Sequence, residues 1–323
     1  MNIPYTAITI LVQGSVMPDT RTVMKGLRTI FPGSELILST WEGSEVSGLD
    51  YDKLVLSPDP GGMVCDEVTG TMNNINRQLC STKAGLRVAE TPYVLKTRTD
   101  ILFLDTEFLS YFGQYDAIPS RYFQNRLLIC NYYTRNPRIM ALCFHPSDWI
   151  LFGKAEDVRN YYEDTPFMSE EEGNWFHTHE KISTFFTNYV CRYTPEQYLF
   201  LNFLNRQEEA NAQTYYDSSP ALLKQTEYAF AMSFVVLDYQ KQLNIKFMKY
   251  NPNRYLEKHT LIFHWQWRAL YEHYCVRRFS PRWWFYLAWC SSRHLLASIR
   301  TLCVKILNYI GLKEFVKKLL WKC

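Results

Sequence analysis

Within its first hundred residues the chain alternates between short β-branched runs and stretches of helical spacing, an order that few folds accommodate. Residues 7–12 (AITILV) read as a strand, and residues 20–30 place Val23, Leu27 and Ile30 at helical spacing before Pro32 and Gly33 end the helix. Residues 35–40 (ELILST) and 53–56 (KLVL) are further strands, and residues 58–62 (PDPGG) break the chain. Residues 75–89 follow as a helix and residues 93–98 (YVLKTR) as a strand. This succession predicts an α/β fold: a mostly parallel central sheet flanked by helices and joined by right-handed crossovers. Ligand sites on such sheets lie at the carboxyl ends of strands, which singles out Gln13, Glu42, Asp59, Arg98 and Asp100.

From about residue 120 the pattern is less regular, with a helix expected at residues 195–206. At 47% hydrophobic and 21% charged residues the chain is too apolar for a disordered protein. Charge divides it: residues 1–250 carry 22 Lys and Arg against 29 Asp and Glu, whereas residues 251–323 carry 13 against 3. We therefore expect two parts, a body over residues 1–250 and a basic, Trp-rich helical region over residues 251–323. The nine cysteines are scattered and never form C-x-x-C, a usage that fits free thiols in a reducing cytosol. The start MNIPYTAITI has no basic n-region or small-residue cleavage site, and no uninterrupted apolar run is long enough to span a bilayer, so neither a secretory signal nor a spanning helix is expected.

G-x-G-x-x-G, G-x-x-x-x-G-K-[ST] and G-x-S-x-G are all absent. His177, His179 and Glu180 lack the H-E-x-x-H spacing and fit a polar loop. Asp50 and Asp52 form the only D-x-D, but they precede a strand and so fall at the wrong end of the sheet for a site, where a solvated turn is expected.

Lys96, Arg98 and Asp100 are better placed. Alternation sends them to one side at the carboxyl end of the strand at 93–98, where two cations and a carboxylate must meet either a phosphorylated ligand or one another. Arg77, Ser81 and Lys83 follow the start of the helix at 75–89, an anion-binding position, with Asn74 as the expected cap. Asp148, in His145-Pro-Ser-Asp-Trp149, either orients an acceptor hydroxyl or caps the next segment. Glu196 either complements a helix dipole or acts as a base.

Six strings, ILVQGSV (10–16), FPGSELILSTWEGSEVSGLDYDKLVLSPDPGG (31–62), NRQLCSTKAGL (76–86), YVLKTRTDILF (93–103), FHPSDWILFG (144–153) and PEQYL (195–199), resemble the WavE lipopolysaccharide-synthesis family, in order. That family is similar to the GT-A-like (Rossmann-like) glycosyltransferases. The resemblance implies transfer of a sugar from a nucleotide-sugar donor to a lipid-linked oligosaccharide or lipopolysaccharide core acceptor. It implies Gln13 and Glu42 beside the nucleoside, with Arg77 and Lys83 toward the phosphates and Arg98 next to Asp100 in the place of the metal-binding motif. Asp100 falls in the place of the metal-binding acid, for Mg²⁺ or Mn²⁺, with Glu196 or Asp148 as the base. Arg-Thr-Asp stands where Asp-x-Asp is usual, so Arg98 takes over part of the charge a metal would carry.

The basic region suits helices lying in a membrane interface, with Trp283, Trp284, Trp289 and Trp321 among cations such as Arg277, Arg282 and Arg293. The expected location is cytoplasmic, peripheral on an anionic inner face of the inner membrane; packing of the region onto the body is the alternative. A non-catalytic carbohydrate-binding or scaffolding protein of the same pathway is the competing class. An acidic body without a recognised module argues against a nucleic-acid binder.

Overall fold

The computed structural model describes residues 3–181, 188–207, 210–250, 259–277 and 279–293. β1 (Ile8–Gln13), α1 (Thr20–Ile30), β2 (Glu35–Trp41) and β3 (Lys53–Ser57) follow in the expected order. A hairpin that the sequence did not suggest, β4 (Met63–Asp66) and β5 (Thr71–Asn73), precedes α2 (Ile75–Val88) and β6 (Tyr93–Arg98). The rest comprises β7 (Ile101–Phe103), β8 (Leu127–Cys130), β9 (Leu151–Lys154), α3 (Ala155–Tyr162), α4 (Glu170–Gly173) and α5 (Trp175–Thr178). After them come α6 (Pro195–Asn205), α7 (Pro220–Ser233), β10 (Phe234–Leu237), β11 (Ile245–Phe247) and α8 (His264–Tyr271). Residues 281–293 form a further helix.

Seven strands build the central sheet in the order β10-β8-β9-β6-β1-β2-β3. All neighbours are parallel except β9, which runs antiparallel to β6 and β8. β1 is flanked by β2, reached through α1, and by β6, reached through α2. The growth of the sheet therefore reverses direction at β1, which opens a crevice beyond its carboxyl end.

Two glycines set this edge. A Cβ on Gly85 would stand 2.2 Å from Leu11 Cδ1, so only glycine lets α2 lie this close to β1. Gly14 turns the chain off β1 at φ +116°, a conformation that L side chains rarely adopt. The core continues away from the crevice as stacked aromatics, with Phe123 and Phe203 parallel at 4.9 Å and Tyr161 edge-on to Phe203 at 5.2 Å.

Residues 259–293 pack onto the body. Trp267 is fully buried, the main-chain N–H of His264 donates to Asp238 Oδ1 at 2.7 Å, and the Tyr286 hydroxyl donates to Glu227 Oε1 at 3.0 Å. Residues 294–323, with Trp321, lie outside the described residues. The seven described cysteines are unpaired thiols. Asp50 and Asp52 do sit away from the crevice, but as partners of the Arg28 guanidinium at 3.0 Å rather than as a free turn. His177 pairs with Glu67 at 3.0 Å.

Candidate functional site

Beyond the ends of β1, β2 and β6 lies a cleft of about 270 Å³. Gln13, Trp41 and Arg98 are the last residues of those three strands and all line it. Asn74, Arg77 and Gln78 enter from the start of α2, and Lys249 and Tyr250 close the cleft from the segment after β11.

The side chains are held by specific bonds. The Gln13 Oε1 accepts from Ser81 Oγ at 2.8 Å. The Trp41 indole donates to Ser15 Oγ at 3.0 Å, fixing the ring as a wall. Arg77 forks onto Asp59 through Nε and Nη2, both at 2.8 Å, and this bonding holds the Asp59 carboxyl below the ordinary carboxylate range. Arg98 forks in the same way onto Asp100, Nε to Oδ1 and Nη2 to Oδ2, each at 2.8 Å. Its guanidinium lies against the rings of Trp149, at 4.3 Å, and Tyr250, at 5.4 Å, which also contact each other. Burial alone would lower its pKa, but the bonds to Asp100 outweigh that and raise it, so Arg98 is a permanent cation. Lys249 is exposed at the rim.

Of the residues expected from sequence, Gln13, Arg77, Arg98 and Asp100 meet in this cleft. Five do not line it. Lys96 lies two residues back along β6, fully buried, with Nζ donating to the main-chain oxygen of Asp148; burial lowers its pKa to about 8. Lys83 faces a separate cavity and donates to the main-chain oxygen of Thr165 at 2.5 Å. Glu42, one residue past β2, points into solvent. Asp148 is buried with Oδ2 unbonded. Glu196 is buried in the first turn of α6 with Oε2 3.5 Å from His145 Nε2. Burial pushes that imidazole down to about 3, so it is neutral, and its Nδ1 lies 2.9 Å from the Tyr133 carbonyl. Asn74 sits at the start of α2 but makes no cap bond; Asn73 Oδ1 accepts from the Ile75 N–H at 3.0 Å instead.

Among the described residues Asp100 is the only carboxylate lining the cleft, and both of its oxygens are engaged by Arg98. Among the described residues no group of three or more His, Cys, Asp or Glu side chains converges. Mg²⁺ or Mn²⁺ at Asp100 would first have to displace Arg98, whose fork matches the carboxylate. The charge this cleft presents to an anion comes from Arg77, Arg98 and Lys249.

Trp41, Lys249 and Tyr250 were not anticipated. Trp41 was within reach of the sequence, because it shares the face of Ser39, the residue paired with Gln13. Lys249 and Tyr250 come from a segment remote in the chain.

A family model described as WavE lipopolysaccharide synthesis matches residues 8–299. A comparison with curated proteins gives no match.

Proposed function

The chain belongs to the WavE lipopolysaccharide synthesis family, and within that setting we propose that it is a glycosyltransferase whose cleft binds a nucleotide-sugar. The observation that carries the reading is the convergence of Gln13, Trp41, Arg77, Arg98 and Lys249 where the growth of the sheet reverses. The ring and amide at one wall suit a nucleoside, and the cations suit a diphosphate. In transfer, the acceptor hydroxyl oxygen bonds to the anomeric carbon as the bond from that carbon to the diphosphate breaks, and the hydroxyl proton is released to solvent. The guanidiniums, fixed in advance by Asp59 and Asp100, stabilise the charge gathering on the departing diphosphate. The acceptor is a lipid-linked oligosaccharide or lipopolysaccharide core, met at the inner face of the inner membrane. No helix among the described residues is long and apolar enough to cross a membrane.

A second reading, a non-catalytic binding or scaffolding protein, is favoured by one observation: neither Glu196 nor Asp148 lines the cleft. Incubating the protein with radiolabelled nucleotide-sugars and acceptor-bearing membranes separates the two. Label entering the glycolipid with release of nucleoside diphosphate supports transfer, whereas nucleotide binding with no incorporation from any donor supports the scaffold.

A further inference from the structure

The helix over residues 281–293 is apolar on two sides. One side is built into the body: Tyr286 and Cys290 are buried, Trp283 stacks flat on His273 with ring centroids 3.9 Å apart, and Trp289 meets Trp265 at 5.9 Å. The other carries Pro281, Trp284, Phe285 and Ala288, spaced i, i+3, i+4 and i+7, and all four are exposed. Trp284 is 57% exposed and Phe285, leaning on Trp265 at 5.3 Å, is 60% exposed; Phe279, just ahead of the helix, is 81% exposed. Of the four exposed Phe and Trp side chains among the described residues, three are therefore within seven positions of one another, which single stray apolar side chains would not produce.

The charge around this stripe identifies what would cover it. Residues 251–323 hold 13 Lys and Arg against 3 Asp and Glu. Within residues 259–293 the only acid is Glu272, and Ser280 and Arg282 both bond its carboxylate, so it offers nothing to a cationic partner. Arg277 is exposed beside Phe279, and the Arg293 guanidinium lies 4.2 Å over Trp289 at the far end. A second copy docking the same face would bring two strongly positive segments together. Exposed Trp and Phe rings flanked by arginines match instead the boundary between anionic headgroups and acyl chains.

We infer that the Phe279, Trp284 and Phe285 face is a docking surface for an anionic lipid bilayer, with the rings entering the headgroup boundary. The surface is independent of the cleft and holds whichever reading of the cleft is correct.

Co-sedimentation of the full chain tests this, with vesicles of one part phosphatidylglycerol to two parts phosphatidylcholine and with phosphatidylcholine alone. The full chain binds the anionic vesicles and releases them as salt is raised. The double variant Trp284→Ser, Phe285→Ser loses at least about tenfold in vesicle affinity, since two rings no longer leave water. Phe279→Ser, outside the helix, loses affinity without touching helix packing. Val68→Ser, altering a side chain that is 76% exposed elsewhere, binds like the unaltered chain. No binding by the full chain overturns the inference. So does a double variant that binds as tightly as the full chain, which would place the contact elsewhere. A double variant that converts a dimer to a monomer with vesicle binding unchanged overturns it in favour of self-association. Unfolding midpoints and nucleotide binding, measured on the same samples, keep a folding defect or failure of the cleft reading distinguishable from failure of this one.

Discussion

Arg98 and Asp100 are locked to each other at the end of β6 by two hydrogen bonds of 2.8 Å, one to each carboxylate oxygen. Asp100 is nearly inaccessible while the Arg98 side chain keeps 26% exposure, so the acid acts as an anchor and the cation as the presented group. The same two-bond fork recurs between Arg77 and Asp59, where both partners are partly exposed. Each guanidinium is thereby oriented before any anion arrives, which reduces the ordering cost of binding it.

Asp100→Asn should therefore weaken binding of a nucleoside diphosphate by about tenfold, because Arg98 loses its orientation and not its charge. The same substitution should destabilise the fold by roughly 1–3 kcal/mol, since it leaves a half-buried guanidinium without its charged partner. Calorimetric titration and urea unfolding measure the two effects. Unchanged affinity would remove Asp100 from the site.

Lys96 gives a pH signature. Burial lowers its pKa from 10.5 to about 8, so between about pH 8 and pH 10.5 the unfolded chain binds the proton that the folded chain has released. Stability contributed by this group must then rise with pH across that window, by about 3 kcal/mol at most. Lys96→Met removes the group at similar volume. The stability difference between the unaltered chain and this variant, followed by urea unfolding from pH 7 to pH 10, should move in favour of the unaltered chain. A difference independent of pH would show that Lys96 is not the buried cation described.

Glu196→Gln should leave nucleotide binding unchanged and any transfer rate within about threefold, because the carboxylate faces His145 and not the cleft. Steady-state rates decide the point. Abolished transfer with intact binding would return Glu196 to the role of base.

Gly85→Ala should destabilise the protein by about 1 kcal/mol or more even though alanine favours helix, because the added methyl would stand 2.2 Å from Leu11 Cδ1. Urea unfolding measures this, and a stabilised variant would mean that α2 moves off β1 without penalty.

Much of the amino-terminal half was legible because local pattern and tertiary structure agree there: α1 spans Thr20–Ile30, the segment whose apolar spacing marked it. Local order also located the edge that carries the cleft. Depth beneath α2 could not be read. Lys96 shares a face with Arg98, but at about 3.3 Å per residue two positions carry it nearly 7 Å back under the helices. Glu42 was chosen by proximity to a strand end, whereas the alternation of the strand selects Trp41, on the face of Gln13 and Ser39. Asp148 and Glu196 have residue types fit for catalysis, but burial is a property of the packing of α3, α6 and β9, which no local signal encodes. Lys249 and Tyr250 reach the site because β11 pairs with β7, a contact between segments more than a hundred residues apart.

The most direct test is calorimetric titration of the full chain with UDP, GDP, ADP and CMP and their sugar derivatives, with chelator present and then with Mn²⁺, beside Arg77→Ala and Arg98→Ala. The account predicts that one nucleotide class binds in chelator and that each arginine variant loses about tenfold or more in affinity, as expected where a guanidinium carries the phosphate contact. Absence of binding under every condition, or binding that requires Mn²⁺ and is indifferent to Arg98, would contradict it.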